Sequence, residues 1–151
     1  MFDAVAMQVQ GVGDVIRLAV APVFLLTGVG TMLAVMTNRL ARVVDRARTL
    51  EGRAEQLSPE EHGALHPQLD ALARRARLLN AAITLLTSCA LLVSMVVIAL
   101  FLAAFFDFPL ARAIAVLFIA AMLSFVSALL CFLREVSVAT AALRIGIRRA
   151  G

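Results

Sequence analysis

The chain has 151 residues, of which 62% are hydrophobic and only 16% charged, with a net charge of +4. A soluble domain averages about 45–50% apolar and about 25% charged residues, and one of this size buries only about 68–70% of its unfolded surface. The excess apolar surface therefore faces lipid, which excludes an ordinary soluble enzyme, a disordered tail and a secreted disulfide scaffold. Cys89 and Cys131 both lie in apolar runs and behave as small hydrophobes rather than as a bridge or a metal cluster. Trp and Tyr are absent, so any interfacial aromatic belt consists of Phe alone.

The expected fold class is all-α, an integral membrane protein with three transmembrane helices. A helix of about 20 apolar residues crosses the hydrocarbon core, and lipid requires its backbone polar groups to be paired internally. Three charge-free runs meet that length. A tail over 1–17 precedes span 1 at 18–37. The acidic Asp3 and Asp14, the long apolar run and the lack of a small-residue cleavage site read as a retained helix rather than a signal peptide. Pro22 falls in the first turns of this span, where proline is tolerated; deeper in a helix it kinks. Span 2 occupies 78–106 and exceeds the bilayer thickness, so it tilts or enters the interface. A short turn at 107–112 leads to span 3 at 113–133, and a basic amphipathic tail covers 134–151.

All fourteen basic residues are arginine. Eight fall in 38–77 and four in 134–151, against one each in the N-terminal tail and the 107–112 turn. Basic residues flanking short loops stay cytoplasmic. The expectation is a bacterial inner-membrane protein with its N-terminus outside and its C-terminus in the cytoplasm.

The 38–77 segment reads as an antiparallel helical hairpin continuing the first two spans into the cytoplasm. Apolar residues at Leu33, Met36, Leu40, Val43, Ala47, Leu50, Ala54 and Leu57 follow 3-4 spacing. Leu65, Leu69, Leu72, Ala76, Leu79, Ile83 and Leu86 do the same into span 2. Such sustained spacing packs helices along a seam. The Ser58-Pro59-Glu60-Glu61 run predicts a helix start, and His66-Pro67 predicts a second break. Eight arginines interleave with six acids on this hairpin, as on a solvated helix face. The other reading is a docking surface for a partner or for anionic lipid. In the tail, Leu133, Val136, Thr140, Leu143 and Ile147 share a face beside Arg134, Ser137, Ala141, Arg144 and Arg148. A basic helix of this kind lies on an anionic leaflet or packs on its neighbours.

No ionisable residue falls within the three spans, which disfavours a proton-coupled transporter. Uncharged polar residues gather in the cytoplasmic halves, chiefly Thr84, Thr87, Ser94, Ser124 and Ser127. Two readings stay open. Gly30/Ala34 and Ala120/Ser124/Ala128 let helices approach closely, with Ser and Thr hydroxyls returned to their own backbone. Alternatively, the polar stripe lines a cytoplasmic vestibule below an apolar outer gate, which requires a ring of subunits.

Enzyme chemistry finds no foothold. There is no metalloprotease, P-loop or nucleophile-elbow motif and no cofactor fingerprint. His62 and His66, with Asp70, lack the full ligand set a metal site requires. The sequence pI of about 10.9 reflects arginines placed at span ends, not nucleic-acid binding.

Three stretches carry a resemblance: Thr37-Asn38-Arg39-Leu40-Ala41-Arg42-Val43-Val44-Asp45-Arg46, Arg74-Arg75-Ala76-Arg77-Leu78-Leu79-Asn80 and Phe132-Leu133-Arg134-Glu135-Val136. Together with Pro22 they resemble the bacterial membrane family catalogued as domain of unknown function 2721, over about Val15 to Ile147. The resemblance implies a small three-span protein and supplies no activity. It makes Asn38, Arg39, Arg42, Asp45, Arg77, Asn80, Arg134 and Glu135 candidates for an Arg–carboxylate network joining the three helix exits, in which loss of Asp45 or Glu135 loosens assembly. The functional expectation is a non-enzymatic protein that binds itself or another membrane protein through the hairpin. The alternative is a homo-oligomeric gated ion channel.

Overall fold

The computed structural model describes the backbone of residues 2–54, 59–106 and 109–148, and the side chains of 13–53, 66–106 and 109–139. The described residues form three helices: α1 (Phe2–Ala54), α2 (Pro59–Phe106) and α3 (Ala111–Arg148). Each contains a stretch long and apolar enough to cross a membrane: Gly13–Arg53, His66–Phe106 and Ala111–Ala139. Only 17%, 17% and 11% of their most apolar windows are buried within the chain. Most of this apolar surface therefore points outward, the arrangement a lipid solvent favours and water penalises.

Two compact units divide the chain. The first comprises Met1–Met32 and Leu86–Val126. Its core is made of Ala19 and Val29 from α1, Leu86, Cys89, Val93 and Val96 from α2, and Ala121 from α3. The α2 contributors recur at 3-4 spacing, so one stripe of that helix stays inward. Phe24, Leu91, Ile98, Phe105 and Ile119 are exposed, so this unit is apolar both inside and out.

The second unit comprises Leu33–Leu85 and Ser127–Gly151. Met36 and Val43 from α1 and Leu72, Leu79 and Ala82 from α2 form its core. Leu33, Leu40, Ala47, Leu50, Leu69, Ala76 and Ile83 are half-buried beside them. Every residue of the expected 3-4 spacing whose side chain is described is thus buried or half-buried; Ala54, Leu57 and Leu65 lie outside those residues. From α3 come Ala128 and Glu135, seven residues apart and both fully buried.

Two local expectations are corrected. The break predicted at His66-Pro67 does not occur, because α2 runs through Pro67. A proline inside a helix removes one backbone bond. Here Pro67 is exposed, so the loss falls away from the seam, and Leu69 and Leu72 hold the helix just beyond it. The expected start at Pro59 matches the first residue of α2; its cap Ser58 lies outside the described residues.

Pro22 is the second correction. Since α1 begins at Phe2, Pro22 lies deep inside the helix and on its buried side. Membrane helices tolerate this, since freed backbone groups are satisfied by neighbours or local adjustment.

Of the two small-residue sets, Gly30 and Ala34 are exposed, and a methyl group added to Gly30 meets nothing within 4 Å. Ala128 of the second set is fully buried.

Ala128→Leu therefore inserts three carbons into a space with no room. It should destabilise the fold by about 1–3 kcal/mol, read as a lower thermal unfolding midpoint in a single detergent. Leu130→Ala, on the exposed side of the same turn, should stay within about 0.5 kcal/mol of the parent.

Candidate functional site

The second unit contains one arrangement that its apolar core does not explain. Glu135 on α3 has no solvent-accessible side-chain surface. It occupies the inward heptad position that Ala128 and Ala121 hold one and two repeats earlier. A bare carboxylate there is prohibitively costly to desolvate, so its partners decide whether the site exists at all.

Two guanidiniums meet it. Arg75 of α2 donates from Nε at 3.0 Å and from Nη2 at 2.8 Å, both to Oε1. Arg39 of α1 brings Nη2 to 3.1 Å from Oε2. That contact is an ion pair without an aligned N–H, since Oε2 accepts no hydrogen bond. Arg39 has a second hold, its guanidinium carbon lying 5.1 Å from the ring centroid of Phe132, within cation–π range. Phe132 is three residues before Glu135, hence on the adjacent face of α3. Each helix of this unit supplies one charged member, and the three charges sum to +1.

The helix register explains why these residues meet. Leu72, Arg75, Leu79 and Ala82 share the 3-4 stripe of α2, so Arg75 stands in a seam position otherwise apolar. Arg39 follows Met36 by three and precedes Val43 by four, on the α1 stripe. The charge cluster is a polar layer in a continuous heptad seam.

Among the residues expected to form an interface network, Arg39 and Glu135 come together. Asn38, Arg42, Asp45, Arg77, Asn80 and Arg134 are exposed. The third member, Arg75, was quoted in the resemblance but not singled out; its place in the 72-75-79-82 register was the available signal. Of the tail's expected apolar face, Leu133 is 63% exposed and Val136 half-buried, while the side chains of Thr140, Leu143 and Ile147 lie outside the described residues; the inward register of α3 runs through Ala128 and Glu135.

Thr84, Thr87 and Ser127 are exposed, while Ser94 and Ser124 are half-buried. Thr84 donates its hydroxyl to the Asn80 carbonyl at 3.0 Å, and Ser94 to that of Ala90 at 2.8 Å. Thr27, Thr31 and Thr37 do the same on α1. A hydroxyl returned to its own helix is satisfied without water. His66 and Asp70 are exposed; the side chain of His62 lies outside the described residues.

Glu135→Ala leaves two guanidiniums facing each other and should destabilise the protein by about 3 kcal/mol or more. Arg75→Ala should cost more than Arg39→Ala, because Arg75 makes both hydrogen bonds and is less exposed, 24% against 32%. The triple variant Arg39→Met, Arg75→Met, Glu135→Leu should recover most of the loss, since an apolar replacement removes every unpaired charge. Asp45→Ala, at an exposed position, should fall within about 0.5 kcal/mol of the parent. Unfolding in a single detergent reads all five.

Comparisons with curated proteins and with solved structures each return no match. A family model described as Protein of unknown function (DUF2721) matches residues 19–145, a range that contains Arg39, Arg75 and Glu135. It covers most of the chain, and the protein belongs to the DUF2721 family.

Proposed function

We propose that this is a non-catalytic protein of the bacterial inner membrane that works by associating with a second membrane protein, most simply another copy of itself. In this reading the first two helices continue past the bilayer as an antiparallel hairpin on the cytoplasmic side, and the hairpin carries the contact. The arginine bias of the 38–77 and 134–151 segments supports that orientation. The antiparallel pairing is supported by Arg39 and Arg75 converging on one carboxylate while Val43 and Leu72 line one groove.

The observation that carries the reading is the full burial of Glu135 between two arginines. The buried carboxylate is hydrogen-bonded by Arg75 through Oε1 and ion-paired with Arg39 through Oε2, which favours a fixed strut. What the strut fixes is a hairpin with an exposed, mixed-charge face that includes Arg42, Asp45, Arg48 and Glu51 on α1 and Asp70, Arg74 and Arg77 on α2. Interleaved charge of both signs gives register and partner choice at modest affinity. The outward Gly30/Ala34 pair adds a place where a second helix can approach within the bilayer. A ring enclosing Thr84, Thr87, Ser94, Ser124 and Ser127 is the competing reading. The self-satisfied hydroxyls of Thr84 and Ser94 favour packing over a wet vestibule.

Native mass measurement in nanodiscs tests this. The parent should run as a dimer or small oligomer, and the double charge reversal Asp45→Arg, Glu51→Arg should shift it toward monomer without lowering its unfolding midpoint. A monomeric parent overturns the self-association. A closed ring of four or more, with ion flux from liposomes, replaces it with the channel.

A further inference from the structure

A groove of about 480 Å³ opens on the second unit beside the buried carboxylate. Its wall holds four guanidiniums: Arg39, Arg42 and Arg46 from α1, and Arg75 from α2. Val35, Val43 and Leu72 supply its apolar surface. The Glu135 carboxylate beneath it is fully buried and engaged with Arg39 and Arg75, so it offers no accessible oxygen to the groove. Arg42 and Arg46 are exposed and, among the described residues, have no carboxylate partner. Counting Glu135, the groove carries three positive charges in excess.

This concentration is not required by the fold. Arg39, Arg42 and Arg46 stand at successive 3-4 intervals on one helix face, where like charges repel. An anion in the groove removes that repulsion, and guanidinium forks match phosphate oxygens in geometry as well as charge. The apolar residues fit an occupant that is anionic at one end and hydrocarbon at the other. The position fits as well. Val35 belongs to the charge-free run of the first span, and Arg39 is the first charged residue after it, so the groove begins where the hydrocarbon core ends. Basic pockets at that level of membrane helices hold anionic lipid headgroups.

We propose that this groove binds the phosphate headgroup of one anionic membrane phospholipid, with Arg42 and Arg46 as its principal ligands and Arg39 and Arg75 as the charged floor. The site belongs to a single chain, so it stands whether or not the protein associates.

Native mass spectrometry of the full-length protein in detergent tests it, with phosphatidylglycerol and phosphatidylcholine added in separate titrations. The parent should bind one phosphatidylglycerol about tenfold more tightly than phosphatidylcholine, consistent with two well-placed arginines near a membrane surface. The double variant Arg42→Gln, Arg46→Gln should lose most of that preference. Arg48→Gln, Arg53→Gln removes the same charge from exposed positions on the same helix, outside the groove, and should keep it. All four positions are exposed, and unchanged unfolding midpoints will verify that each variant is folded. Equal binding of both lipids by the parent overturns the proposal. So does an equal loss in the two double variants, which reduces the effect to overall charge. Displacement of the lipid by millimolar inorganic phosphate also overturns it, because the groove is then a free-anion site.

Discussion

The second unit depends on burying one carboxylate without leaving it alone. Glu135 stands where a heptad seam calls for a small apolar residue, and its presence is tolerable only because Arg75 and Arg39 reach it from the other two helices. Desolvating an ion pair costs several kcal/mol per charge, so the cluster is a poor source of net stability. Its physical value lies in discrimination. Leu72, Leu79, Met36 and Val43 pack about equally well if a helix slides by a heptad or rotates a little, whereas a buried carboxylate accepts a single register. A lone polar layer in an apolar seam sets alignment in coiled coils by the same logic.

The division of labour within the cluster follows from geometry. Arg75 is committed: both of its hydrogen bonds end on Oε1, and its stem fills a seam position. Arg39 is shared among the Oε2 atom, the Phe132 ring and the groove. This asymmetry places the strut and the basic groove on the same residues without making either depend wholly on the other.

Much of this was legible from residue order alone. The three spans and the 3-4 spacing through Met36, Val43, Leu72 and Leu79 follow from period and charge placement, while the candidacy of Arg39 and Glu135 comes from the family resemblance. Period and charge placement are local properties that depend on helix geometry and on the solvent. What was not legible depends on which helix face meets which neighbour. Gly30/Ala34 has the spacing of a packing motif but points outward, since small residues mark a close approach without saying to whom. Arg75 hid among three arginines in four residues, and only its register separates it from Arg74 and Arg77. Pro67 signals a break in any short helix, but α2 has a long packed stretch beyond it. The apolar side of the tail was open between leaflet and neighbour, because a leucine facing lipid is as comfortable as a buried one and apolar character alone does not tell inside from outside.

The chain order of the cluster has a consequence for biogenesis. The two arginines are synthesised first, on the first and second helices, and the carboxylate that neutralises them arrives on the third. A nascent chain with only two helices in place therefore holds a pair of mutually repelling charges at its seam. That repulsion works against a closed two-helix intermediate. The last helix completes the charge balance as it docks, so electrostatics makes the final insertion step the one that locks the rest. A truncated or misinserted chain would display its two unpaired guanidiniums, a chemical mark by which it differs from the finished protein.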